Sequence, residues 1–195
     1  MIASRLTSAL ILAACAASLA ACGSKSDTAS EAASAPAVKS AGETCPTAAP
    51  AADTAPEWTL PGATGSVSVA GSTDTAAPLV TVTTPFSVAD TQVRTLTAGD
   101  GPVVAPAATV KVCYMGVDGR DGSVFDSSYE RGAPVEFGLN RVVPGFQKAI
   151  AGQKVGSTVA VAMTSADGYP NGEPRAGIQP GDTLVFAIKI LGTSG

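Results

Sequence analysis

Apolar side chains recur with period two in four runs of the C-terminal half, and this alternation decides more than any other feature what the chain can fold into. In Val110-Lys111-Val112-Cys113-Tyr114-Met115, the residues Val110, Val112 and Tyr114 share one face while Lys111, Cys113 and Met115 share the other. Val135, Phe137 and Leu139 alternate likewise, as do Val159, Val161 and Met163, and a last run aligns Leu184, Phe186, Ile188 and Ile190. This is the period of a half-buried strand, and a helix would scatter the same positions around its axis. Gln92–Leu96 adds a fifth, weaker strand. One segment departs from the pattern. Phe146-Gln147-Lys148-Ala149-Ile150 follows Pro144-Gly145, is stopped by Gly152, and sets Phe146 and Ile150 one helical turn apart. The expected architecture is α+β: an antiparallel sheet of about five strands curved around one short α-helix.

Composition narrows the chemistry. With 195 residues the chain has room for one ordinary core, and 21 Gly with 14 Pro against only 14% charged residues favours strands and turns over a helix bundle. There is no histidine, so Ser-His-Asp and Cys-His nucleophiles are excluded and the commonest transition-metal ligand is missing. The four cysteines, at 15, 22, 45 and 113, show no CxxC spacing, which argues against a zinc site. No metal or cofactor is implied. A net charge of −4 with no basic run gives no footprint for phosphates, so nucleic acid is not an expected partner.

The N-terminus reads as an address. Arg5 precedes an apolar stretch from Leu6 to Ala17, too short to span a bilayer comfortably, and Leu19-Ala20-Ala21-Cys22 resembles the bacterial lipobox. Residues 1–21 are then a lipoprotein signal peptide and Cys22 carries the lipid, the alternative being an ordinary leader or a membrane helix that happens to contain cysteine. Two or three acyl chains would hold the protein at the outer face of the cell membrane, or in the periplasm, almost permanently. Residues 22–56 are Ala, Ser, Thr and Pro with scattered charge, which reads as a disordered linker. Residues 57–87 hold short strand-like runs such as Ser66-Val67-Ser68-Val69, either a separate subdomain or an extension packed on the main domain. About thirty residues make a poor core alone, which favours the second. The main domain is expected over residues 88–195.

Within that domain five segments, in order and over about 100 residues, resemble FK506-binding (FKBP) domains. They are Gln92 to Gly101 with its closing Gly-Asp-Gly turn, Val112-Cys113-Tyr114-Met115-Gly116, Gly122-Ser123-Val124-Phe125-Asp126-Ser127-Ser128, Val142-Val143-Pro144-Gly145-Phe146, and Ile178 to Phe186. The resemblance implies a peptidyl-prolyl cis/trans isomerase acting on proline-containing exported polypeptides, with macrolides of the FK506 and rapamycin type as further ligands and a monomer as the default state. Such a reaction suits a chain without histidine. Rotation about the prolyl amide is held back by resonance worth roughly 18–20 kcal/mol, no bond is made or broken, and a dry apolar slot favours the twisted amide over the planar one.

Residue by residue, the resemblance implies that Tyr114, Phe125, Val142, Val143, Phe146, Ile178 and Phe186 line the proline pocket. Asp126 is the carboxylate beside it, with Arg131 or Tyr114 as partner. Tyr169 is the phenol that donates to the substrate carbonyl, and the Val143 N–H faces the peptide. The chain departs from the family in having Phe146 where Trp is usual, Val135 in place of an aromatic, and a differently spaced loop around Tyr169. These changes imply a shallower pocket, and the alternative function is a catalytically weak module that binds proline-containing peptides. A third reading, an all-β adhesion sandwich, would lack both the helix at Phe146 and a cluster of Tyr114, Phe125 and Phe186.

With Cys15 removed and Cys22 lipidated, Cys45 and Cys113 remain outside the cytoplasm, where a disulfide between them is expected. The other outcome is two unpaired thiols, with Cys113 a small buried filler.

Overall fold

The computed structural model describes residues 44–194; the leader, Cys22 and the first part of the linker lie outside the described residues. Nine strands and two short helices follow in the order β1 (Trp58–Pro61), β2 (Thr64–Ala70), β3 (Leu79–Ser87), β4 (Gln92–Thr97), β5 (Thr109–Asp118), β6 (Val124–Ser127), α1 (Ser128–Arg131), β7 (Val135–Gly138), α2 (Pro144–Ile150), β8 (Thr158–Met163) and β9 (Leu184–Ser194). Strands β4 to β9 form the expected antiparallel sheet, in the order β4-β8-β9-β5-β6 with β7 also on β5. The fold is α+β.

Strand β5 organises this sheet. Along one edge it pairs with β9 over its whole length; along the other, two short strands share it, β7 opposite Thr109–Val112 and β6 opposite Met115–Val117. Between them no strand faces Tyr114. Its N–H, which would otherwise be an orphan, donates to the buried Ser128 hydroxyl at 2.8 Å.

The alternation has the expected consequence. Val110, Val112, Val159, Val161, Met163, Leu184, Phe186, Ile188 and Ile190 form one buried cluster with Leu139, Phe146, Ala149 and Ile150. Helix α2 lies on this face. Pro144 fits the first turn, where its missing N–H is no loss, and Gly145 lets the helix approach β8, since a Cβ there would sit 2.8 Å from the Met163 side chain.

The opposite face of the sheet is covered too. Residues 57–87 fold into the antiparallel meander β1-β2-β3, and its Val67, Val69 and Phe86 form a second buried cluster with Val117, Ala160, Ala162, Val185 and Ala187. A strand such as β8, Thr158-Val159-Ala160-Val161-Ala162-Met163, is buried at every position and needs cover on both sides. The small residues on its second face let the meander approach closely.

Two features depart from the sequence reading. A second helix, α1, fills a single turn after β6; the Ser127 hydroxyl caps it by accepting from the Glu130 N–H, and Gly132 ends it at φ 66°. The expectation of a disordered linker as far as Pro56 does not hold for residues 44–56. Cys45 is buried and bonded to Cys113, its N–H donates to the Gly132 carbonyl at 3.3 Å, and the Ala48 carbonyl accepts from Ala77 at 2.8 Å. Composition misses this because the tie is covalent and backbone in nature, not apolar.

Candidate active site

Where β5, β6, β7 and the start of α2 meet, the sheet and helix leave a cavity of about 370 Å³. It is lined by the aromatic rings of Tyr114, Phe125, Phe137, Phe146 and Phe186 and by Val135, Val142 and Val143, with Asp126, Arg141 and Tyr169 as further polar members. Four of the chain's five phenylalanines are thus in one concavity. Phe146 is the hub: its ring lies 5.0 Å from that of Phe186, 5.4 Å from Phe137 and 5.8 Å from Tyr114, each edge to face. Edge-to-face contacts hold aromatic rings without stacking them, so the cavity is walled by ring edges and faces and stays open.

Of the positions singled out from the sequence, Tyr114, Phe125, Asp126, Val142, Val143, Phe146, Tyr169 and Phe186 all line this cavity. Ile178 does not. It is 3% exposed and belongs to the core beneath, because its backbone bridges antiparallel to Glu173 after the turn at Gly177 and its side chain is taken up by the main cluster. Val135, named from the sequence only as a departure that makes the pocket shallower, lines it, and so do Phe137 and Arg141, which the sequence reading gave no role there. For Phe137 the signal was present: it alternates with Val135 and Leu139 opposite the valines of β5, on the face that α2 covers.

Polar groups gather at one side. The Tyr114 hydroxyl donates to Asp126 Oδ2, and Arg131 donates to Asp126 Oδ1 at 2.5 Å while its other nitrogen reaches the Tyr114 oxygen at 3.4 Å. Both proposed partners of Asp126 are therefore engaged at once. Helix α1 supplies Arg131, so the turn missed in the sequence is what delivers the cation. Burial raises the Tyr114 phenol and the bond to Asp126 raises it further, to about 12, so it stays protonated and remains a donor. For Asp126, burial works against the charge, but the Tyr114 and Arg131 bonds outweigh it and hold the carboxyl below its ordinary value. Tyr169 is half-buried in the lining, its phenol raised by burial and by the charges of Glu173 and Asp126, and it makes no side-chain hydrogen bond to a described residue. The Val143 N–H likewise donates to no described residue, while the Val143 carbonyl opens α2 by accepting from Phe146 and Gln147.

What this arrangement can do is limited and definite. Among the described residues it offers a ring-lined slot for a flat apolar group, with a phenol and a backbone N–H that no described residue engages, and no activated nucleophile. Among the described residues no group of three Cys, Asp or Glu side chains is placed to hold a metal.

Comparison with known proteins supplies the family. Residues 101–191 match the model of the FKBP-type peptidyl-prolyl cis-trans isomerase family. The chain is 35% identical over 108 residues to the FK506-binding protein of Streptomyces anulatus, a match covering 53% of this chain and 86% of that protein. The chain belongs to the FKBP family. The FKBP domain is also 38% identical to the FKBP-type 22 kDa peptidyl-prolyl cis-trans isomerase of Escherichia coli, where the match covers 51% of this chain but only 48% of the relative. The N-terminal domain of FKBP42 from Arabidopsis thaliana, at 16% identity and a TM-score of 0.51 over 55% of this chain and 88% of its own, shares the fold. The FKBP match begins at Gly101, so β1–β3 lie outside the part shared with the family model.

Proposed function

We propose that this FKBP protein is a peptidyl-prolyl cis/trans isomerase that assists the folding of exported proteins at the cell envelope. The observation that carries the reading is the convergence of Tyr114, Phe125, Val143, Phe146 and Phe186 on one concavity. A proline ring entering it would be enclosed by ring edges and aliphatic walls, which disfavours the large dipole of the planar amide relative to the twisted one. In this reading the Tyr169 phenol and the Val143 N–H hold the carbonyls on either side of the ring, while the Tyr114-Asp126-Arg131 group keeps its charge compensated. Catalytic roles for Tyr114, Phe125, Asp126 and Tyr169, and substrate contacts for Val142, Val143, Phe146 and Phe186, are part of this proposal.

The cellular setting rests on the leader and lipobox of residues 1–22. A lipid on Cys22 would tether the domain outside the cytoplasm, where newly translocated chains wait on slow X-Pro isomerisation. Macrolides of the FK506 and rapamycin type would compete for the same cavity. The test is refolding of a protein whose slow phase is set by a prolyl bond: acceleration by catalytic amounts of this chain, abolished by a macrolide, supports the proposal. Tight binding of prolyl peptides with no acceleration would instead identify a peptide-binding module.

A further inference from the structure

The charges around the cavity are not equivalent. Arg131 is committed to Asp126, at 2.5 Å, so that pair presents little net field to a ligand. Arg141 also lines the cavity, on the turn between β7 and α2 and two residues before the Val143 N–H, yet it is exposed and forms no ion pair among the described residues. The nearest acid in sequence, Glu136, does not neutralise it: Glu136 alternates to the other face of β7 and stands opposite Lys111 of β5. The Tyr169 phenol, which also lines the cavity, is raised by burial and by the charges of Glu173 and Asp126. A peptide seated in the cavity near Val143 would meet the positive charge of Arg141, which no described acid pairs.

We infer that Arg141 is a specificity-determining residue, selecting prolyl peptides that carry an acidic side chain next to the proline on the Val143 side of the cavity. This rests on the isomerase reading and names the substrate class for it. Because the guanidinium is exposed, the preference is modest and screened by salt. For an exposed ion pair it amounts to about two- to fivefold between a Glu-bearing and a Lys-bearing peptide at low ionic strength.

The experiment uses a neutral prolyl peptide and versions with a single Glu or Lys at each of two positions before and two after the proline. Isomerisation and equilibrium binding are measured with the full chain, with Arg141→Gln, Arg141→Lys and Arg141→Glu. One position should favour Glu over Lys; the ratio should persist in Arg141→Lys, fall to unity in Arg141→Gln, invert in Arg141→Glu, and shrink as salt is raised. Action on the neutral peptide with equal results for Glu and Lys at every position, or a preference that survives Arg141→Gln, overturns this inference alone. Failure on every peptide, the neutral one included, overturns the isomerase reading and this one with it.

Discussion

Phe125 and Phe186 meet edge to face, their ring centroids 5.5 Å apart, over the backbone of Gly116. A Cβ at that position would stand 2.6 Å from Phe125 Cζ and 2.8 Å from Phe186 Cε1, so the glycine of the Tyr-x-Gly strand is what lets both rings reach the cavity. Gly116→Ala should therefore displace a pocket wall. Overpacking of this kind typically costs about 1–3 kcal/mol of stability. The loss in kcat/KM for a prolyl peptide should exceed that expected from stability alone, measured at a temperature where the variant is fully folded. A variant with unchanged activity would show that the rings need not sit where they do.

The alkaline limb of stability follows from the tyrosines. Tyr129, buried under the Cys45–Cys113 bridge with its hydroxyl donating to Ser72 at 2.8 Å, is raised by burial to about 12, as is Tyr114. A phenol whose folded value lies above its unfolded value near 10 stabilises fully below pH 10, and that contribution is lost as pH rises through about 12. Tyrosinate absorbance of the folded protein should accordingly lag behind that of the unfolded chain, and Tyr129→Phe should flatten the fall in denaturant midpoint between pH 10 and 12. Asp126 works at the other end. Its lowered value gives stability that is present above the ordinary carboxylate range and is lost as pH falls through the folded value.

The Cys45–Cys113 bridge joins residues 68 apart and ties the end of the linker to the centre of β5, on the face away from the cavity. Closing a loop of that length stabilises by about 4 kcal/mol in the chain-entropy account. Cys113→Ser, or reduction, should lower the denaturant midpoint by a comparable free energy while peptide binding in the surviving folded fraction is kept. Alkylation of the secreted protein should find these two thiols only after reduction; two reactive thiols beforehand would contradict the bridge.

Much of this was legible in the residues because it rests on periodicity. Strands β5, β8 and β9 carry unbroken alternation, and one face of each had to meet α2. Phe125, Phe146 and Phe186 were identifiable as pocket walls only through the motifs that resemble the FKBP family; on periodicity alone they read as core. Ile178 sits in such a motif too, but its side chain turns at a bridge with Glu173, and a bridge formed after a left-handed glycine leaves no periodic trace. Arg141 was missed for a related reason: a single turn of helix between β7 and α2 has no pattern, so the direction of an exposed side chain there depends on the tertiary fold alone. The sequence favoured residues 57–87 packing on the main domain, and which face they cover was legible in Ala160, Ala162 and Ala187, small apolar residues at positions that a solvent-facing strand would make polar.

The most direct test of the central claim is the rate of cis-to-trans conversion in a prolyl peptide, followed with the full chain and with Phe125→Ala and Asp126→Ala. Removing the Phe125 ring takes away apolar contact worth roughly 1.5–3 kcal/mol, which corresponds to a loss of about tenfold or more in kcat/KM. The account predicts acceleration by the native chain and such a loss in Phe125→Ala, with Asp126→Ala also impaired while both variants keep their fold. Acceleration that is indifferent to both substitutions would place catalysis elsewhere and contradict it.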